Sequence, residues 1–235
     1  MLNHVVILAG GKGTRLKPYT ISLPKPLVPL GEKPVLELLI EQLKKHGFSR
    51  ITIAINHMAD IIKAFFGDGT KWGIDIDYTL ENKPLSTMGP LTLIEDLPEN
   101  FLVMNGDVLT DLNYIDFYNY HVNNKALFTI GSYRRSELID YGVIHSNKDN
   151  CLTQLEEKPE FDFLVSMGVY MVNKKILEYI PKDTFFGFDH LMYKLLENKR
   201  PIKVYEYDGF WLDIGRPSDY EIAIEKFNDA EFKLK

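Results

Sequence analysis

The chain is poor in the residues that staple, anchor or coordinate. One cysteine, Cys151, stands among 235 residues, which excludes an internal disulfide and any cysteine-rich zinc site. The six histidines, at positions 4, 46, 57, 121, 145 and 190, show no ligand spacing. No apolar run reaches the ~18 residues that a membrane helix needs. The opening Met1-Leu2-Asn3-His4 lacks the basic start and cleavage site of a signal peptide. Repeats, low-complexity tracts and Pro/Gly/Ser linkers are missing as well. These absences lead us to expect a reduced, cytoplasmic protein without a membrane partner, folded as one domain over residues 1–235.

What is present suits a globular protein: 45% apolar residues, 12% aromatic ones and a net charge of −6. A chain of this length buries ~70–75% of its unfolded surface and needs no metal to fold. The charge is uneven. Residues 1–33 carry +4 and the remainder −10. A small basic, glycine-rich corner on an acidic protein favours a compact polyanion over a nucleic-acid duplex, which needs a broad basic face.

Periodicity predicts alternating strands and helices. The run 5–9 reads as a buried parallel strand, followed by a helix over 34–46 with Pro34 in its first turn and Gly47 past its end. Strands are expected over 51–55, 74–80 and 101–104, and helices over 59–66 and 87–94. That alternation argues for a mostly parallel sheet with right-handed crossovers. Strand-like runs at 126–133, 142–145, 151–155 and 164–172 suggest an antiparallel addition to the same sheet. Helical segments are expected at 174–179, 189–198 and 217–227.

Several constellations could carry chemistry. Leu8-Ala9-Gly10-Gly11-Lys12-Gly13-Thr14-Arg15-Leu16 ends a strand with three glycines that can aim backbone N–H groups at an anion. The order fits neither a Walker A loop nor a dinucleotide fingerprint, whose third glycine would stand where Leu16 does. Pro24-Lys25-Pro26 excludes a helix and should present Lys25 from stiff, extended backbone. Asn105-Gly106-Asp107 ends a buried strand, where open α/β sheets bind ligands. Trp211-Leu212-Asp213-Ile214-Gly215 offers a second aspartate. Two such carboxylates are candidate Mg²⁺ ligands beside a polyphosphate. Glu156-Glu157-Lys158-Pro159 ends another strand, and Gly168 sits within one, a position that often marks close approach. Taken singly, each has a plainer explanation: a ligand-free turn, a solvated lysine, a capping aspartate or a salt-bridged surface turn.

In this order the motifs resemble the sugar-1-phosphate nucleotidylyltransferases over about residues 4–228. The resemblance implies an α/β fold, a Rossmann-like three-layer α/β/α sheet, mixed but mostly parallel, with an added antiparallel sugar-binding portion. It implies an NTP-binding part over about 1–125 and a sugar-phosphate-binding part over about 126–235. No C-terminal β-helix is expected. It further implies attack by a sugar 1-phosphate on the α-phosphorus of an NTP, with Mg²⁺ as cofactor. By resemblance, Leu8, Ala9, Gly10, Gly11, Gly13, Thr14, Glu81, Ser86 and Thr87 would bind the nucleotide. Arg15, Lys25, Asp107 and Asp213 would be catalytic, and the two aspartates would hold the metal. Gly142, Glu157, Lys158 and Gly168 would line the sugar-phosphate pocket.

The stretch from Glu81 to Pro90 resembles the family's base-reading segment. A carboxylate only accepts hydrogen bonds, so Glu81 complements the adjacent N1–H and N2–H₂ of guanine. Ser86 replaces a glycine found there in family guanylyltransferases. The expected substrates are GTP and mannose 1-phosphate or a related manno-sugar, and the expected partner is a second copy of the chain in a homodimer. The alternatives are a glucose-1-phosphate uridylyl- or thymidylyltransferase, or a catalytically silent nucleotide-sugar-binding regulatory homologue. A nicotinamide-dependent oxidoreductase is disfavoured by the missing third glycine.

Overall fold

A computed structural model describes residues 2–228. In chain order the strands are β1 (His4–Leu8), β2 (Pro29–Leu30), β3 (Lys33–Pro34), β4 (Arg50–Ile55), β5 (Asp75–Leu80), β6 (Asn100–Asn105) and β7 (Val108–Thr110). They continue with β8 (Phe128–Leu138), β9 (Gly142–Ser146), β10 (Leu152–Glu157), β11 (Glu160–Asn173), β12 (Ile202–Tyr207) and β13 (Trp211–Asp213). The α-helices are α1 (Val35–Lys45), α2 (Ala59–Phe66), α3 (Tyr114–Asn123), α4 (Phe188–Glu197) and α5 (Pro217–Asn228).

Seven strands form the central sheet in the order β12-β8-β11-β6-β1-β4-β5. All run parallel except β11, which lies antiparallel between β6 and β8. The central strands are apolar on both faces because both are covered. Val5 and Ile7 of β1 join Leu36, Leu39 and Ile40 of α1 and Phe117 of α3 in one core, whereas Val6 faces Leu91, Ile176 and Leu191 in a second. The result is a three-layer α/β/α arrangement. From β1 the chain runs outward through β4 and β5, then returns to the other side of β1 as β6. That reversal opens a crevice at the carboxyl ends of β1 and β6.

Several expectations are corrected. The antiparallel addition is not a set of strands on one sheet: β9 and β10 pair only with each other. The helix expected over 87–94 is a short 3₁₀ segment, Gly89–Leu93, and that over 174–179 is also 3₁₀. Lys25 is not extended. It opens a 3₁₀ turn, Lys25–Leu27, which tolerates Pro26 because first-turn N–H groups have no partner within the helix. A third core, including Leu16, Leu30, Leu109, Ile214 and Tyr220, ties the glycine loop and the Lys25 turn to β7, β13 and α5.

Candidate active site

The crevice holds a cavity of about 500 Å³. Every residue the resemblance assigns to the nucleotide lines it: Leu8, Ala9, Gly10, Gly11, Gly13, Thr14, Glu81, Ser86 and Thr87. Two of the glycines sit where a side chain would meet its neighbours. A Cβ on Gly10 would lie 2.7 Å from Glu81 Oε1, and Gly13 has φ +61 with Thr20 Cγ2 2.9 Å from a would-be Cβ. Thr20 Oγ1 donates to the Gly13 carbonyl at 2.7 Å, which fixes the loop's exit.

At one end of the cavity the catalytic candidates converge. Arg15, Lys25 and Asp107 line it, and Lys25 Nζ donates to Asp107 Oδ2. Asp213 reaches the same place through backbone pairing. β13 runs antiparallel to β7, and Ile214 N–H donates to the Asp107 carbonyl at 3.0 Å. A Cβ on Gly215 would lie 3.4 Å from Asp213 Oδ2 and 3.7 Å from Arg15 Nη2, so both groups approach the bare face of Gly215. Burial, then repulsion from Asp107, pushes the Asp213 carboxyl up to about 6, while Lys25 and Arg15 pull it back. Asp213 Oδ1 is buried with no hydrogen-bond partner among the described residues. An orphaned carboxylate oxygen beside a second carboxylate has the donor chemistry of a hard divalent cation held mainly by its substrate. No cluster of three or more His, Cys, Asp or Glu side chains that could hold a metal ion occurs among the described residues.

At the other end lies the base-reading stretch. Glu81 Oε2 accepts from Leu85 N–H at 2.8 Å and closes the 81–85 loop, which leaves Oε1 facing Gly10. Burial raises the Glu81 pKa, opposed by the Leu85 N–H. Ser86 adopts φ +64, the left-handed conformation that glycine takes at least cost. Thr87 Oγ1 accepts from Phe188 N–H at 2.7 Å. Phe186 N–H donates to the Leu85 carbonyl at 2.9 Å, and the Phe186 carbonyl accepts from Met88 and Gly89 at 3.0 Å. Segment 185–188, absent from the sequence reading, is therefore built into this wall, and Phe185 lines the cavity. Asn56, at the end of β4, also lines it and donates to the Glu81 carbonyl at 3.2 Å. Its position just past a strand's carboxyl end was the available signal.

The sugar-phosphate candidates are not gathered here. Gly168, at φ +71 in the irregularity of β11, approaches Asn105, whose Nδ2 would lie 2.5 Å from a Cβ. Gly142 and Glu157 pair across β9 and β10. Lys158 pairs with Asp140 at 2.7 Å, not with Glu157. None of the four lines the cavity.

Comparison with known proteins gives this geometry a family. Residues 4–230 match the family model described as nucleotidyl transferase. The chain is 32% identical to a UTP–glucose-1-phosphate uridylyltransferase from Synechocystis sp., over 97% of this chain and 64% of that protein. It is also 32% identical to a mannose-1-phosphate guanyltransferase from Schizosaccharomyces pombe, over 92% of this chain and 61% of that one. The chain thus spans under two thirds of the length of these relatives. The crystal structure of HddC from Yersinia pseudotuberculosis complexed with GMP-PN superposes with a TM-score of 0.75 at 31% identity, covering 96% of this chain and 100% of that one. The chain belongs to the nucleotidyl transferase family, in accord with its resemblance to the sugar-1-phosphate nucleotidylyltransferases.

Proposed function

We propose that the protein transfers a nucleotidyl group from an NTP to a sugar 1-phosphate. A phosphate oxygen of the sugar 1-phosphate attacks the α-phosphorus, the bond to the β-phosphate oxygen breaks, and pyrophosphate leaves. The observation that carries this reading is the convergence of Arg15, Lys25 and Asp107 at one end of a glycine-walled cavity, with Asp213 beside Asp107 just behind the lining, while the other end holds Glu81, Ser86 and Thr87.

Phosphoryl transfer asks the protein for position and charge neutralisation. The N–H groups of the 10–14 loop cradle the triphosphate, and Arg15 steadies the leaving pyrophosphate. Lys25, fixed by its turn and by Asp107, faces the charge that builds at the reacting phosphorus. Asp107 and Asp213 would hold Mg²⁺, which supplies Lewis-acid neutralisation of the phosphate oxygens when bound. We assign the NTP to residues 1–125, joined by the 185–188 wall, and the sugar phosphate to residues 126–235.

The base we propose is guanine. Among the described residues no hydrogen bond reaches Glu81 Oε1, and a carboxylate oxygen complements the N1–H and N2–H₂ donors. The relative in complex with GMP-PN is consistent with this choice. Mannose 1-phosphate or a related manno-sugar is the proposed acceptor, after the guanyltransferase relative. One observation favours a pyrimidine reading instead: Glu81 Oε2 is already committed to Leu85. A matrix of four NTPs against sugar 1-phosphates with Mg²⁺, read by pyrophosphate release, decides between them. GTP-dependent release is expected. Release with UTP or dTTP alone overturns the base, and no release with any pair overturns the activity.

A further inference from the structure

Asp213 is brought to Asp107 by a very short ladder. β13 and β7 pair over three residues, Trp211 with Thr110, Leu212 with Leu109 and Asp213 with Val108, in a two-stranded sheet of their own. A ribbon that short is marginal in water, and its pairing alone specifies its register weakly. Register matters at this place, because a slip of one residue turns every side chain to the opposite face. Asp213 would then turn away from Asp107, and Ile214 N–H would lose the Asp107 carbonyl. Trp211 Nε1 donates to the Met167 carbonyl at 2.9 Å. That tether runs from a side chain to β11, so it constrains the register of β13 on β7 less than a bond between the two segments does.

Bonds of that kind meet at the entry to β13, and Asp111 is their centre. Asp111 directly follows β7, and Phe210 directly precedes β13. Asp111 Oδ1 accepts twice, from Phe210 N–H at 2.7 Å and from the Tyr207 hydroxyl at the end of β12. The Phe210 carbonyl accepts in return from Asp111 N–H at 3.2 Å and from Thr110 Oγ1 at 2.8 Å. Both backbone groups of Phe210 are therefore bonded to residues 110–111, which fixes where β13 begins against β7. Tyr207 also pairs with Tyr133 in the central sheet, so the same oxygen ties the ribbon to that sheet. Gly209 makes room for the arrangement: a Cβ there would collide with the Tyr207 hydroxyl and lie 2.9 Å from Asp111 Oδ1. Asp111 itself does not line the cavity.

We propose that Asp111 is a positioning residue whose Oδ1 pins the register of β13 on β7 and so sets the Asp213 carboxylate beside Asp107. It acts through its acceptor oxygen rather than its negative charge, since a hydroxyl and a backbone N–H are both neutral donors. Metal binding by the aspartate pair rests on the proposed function; the register pin does not.

The test is hydrogen exchange of the full chain, read at residues 211–215, with β1 and β4 as the internal reference. In wild type the Ile214 amide is expected to be protected. Asp111→Ala should speed exchange at 211–215 by about tenfold or more and leave β1 and β4 unchanged. Asp111→Asn keeps the oxygen and removes the charge, and should stay within about threefold of wild type. If Asp111→Ala does not fold, Asp111→Glu decides: it keeps the charge, moves the oxygen by one methylene and should lose the same protection. An unprotected Ile214 amide in wild type overturns the proposal, as does wild-type protection in the deciding variant or lost protection in Asp111→Asn. An equal rise at β1 and β4 marks a merely structural role and overturns it too. Mn²⁺ affinity, read by electron paramagnetic resonance with a non-hydrolysable analogue of the NTP that supports turnover, tests the consequence. It should fall about tenfold or more in Asp111→Ala and be kept in Asp111→Asn. Wild type that binds no Mn²⁺ refutes the metal role in the proposed function and leaves the pin standing. An Asp111→Ala protein that loses protection yet binds Mn²⁺ like wild type refutes the link from register to metal.

Discussion

Lys25, Asp107 and Asp213 form a charge arrangement that does little for the fold. Two carboxylates meet one lysine, and Asp213 keeps a buried oxygen without a partner. Asp213→Asn should therefore leave the melting temperature unchanged or raised while lowering turnover by ~10²-fold or more. A thermal melt and a pyrophosphate assay check the two halves, and an active variant removes the metal-ligand assignment. If Lys25 has the proposed role of facing charge that develops during transfer, Lys25→Ala should lower kcat far more than it raises KM for NTP. A rise in KM alone would make Lys25 a docking residue. Ser86 pays for its left-handed backbone. Ser86→Gly is expected to stabilise the protein by about 0.5–1 kcal/mol in urea unfolding, since the αL penalty exceeds glycine's extra chain entropy.

At the scale of elements, the nucleotide wall is a zipper between residues 85–89 and 186–188. Thr87→Val removes the acceptor for Phe188 N–H at the start of α4 and should cost about 1–2 kcal/mol, with a raised KM for NTP. Thr87→Ser keeps the acceptor and should restore both. A valine variant with wild-type stability and KM would show that the zipper holds without this bond. This wall was not legible in the sequence, because its hydrogen bonds join segments 100 residues apart and neither segment has a period. The glycine loop and Asp107 were legible, since each follows a strand that apolar patterning reveals, whereas Lys25 was marked only by the prolines on either side of it. Asp213 was found as a motif, but its adjacency to Asp107 depends on the three-residue pairing of β13 with β7. α3 escaped notice although Asn113 caps it, accepting from Ile115 and Asp116 N–H. The sequence reading also gave no strand to 202–207, although IKVYEY alternates over the length of β12.

For the whole molecule, two histidines that carry no catalytic part join its layers. His4 Nε2 meets Thr52 Oγ1 at 2.8 Å, linking β1 to β4. His121 bridges α3 to β8 through Thr129 at 2.7 Å and to β6 through Asn100 at 3.2 Å. Its tautomer follows from the network. Asn173 Oδ1 accepts from Lys175 N–H, so Asn173 Nδ2 donates to Asn100 Oδ1. That same oxygen therefore accepts from His121 Nε2–H, and Nδ1 accepts from the Thr129 hydroxyl. A second ring proton would charge a buried group. Burial lowers both histidines from 6.5 to about 4, helped at His4 by Arg50. Between those values the unfolded chain binds more protons than the folded one, so stability rises with pH. The contribution is complete above pH ~6.5 and lost as pH falls toward ~4, on the order of 3 kcal/mol for each histidine. His121→Gln removes one titrating group. Near pH 5 its unfolding free energy should climb with pH about 1 kcal/mol per unit less steeply than wild type. Urea unfolding from pH 4.5 to 7 on both proteins measures the difference. Parallel curves would mean that His121 titrates alike in the folded and unfolded chain, and the link between protonation and the α3–sheet contact would be lost.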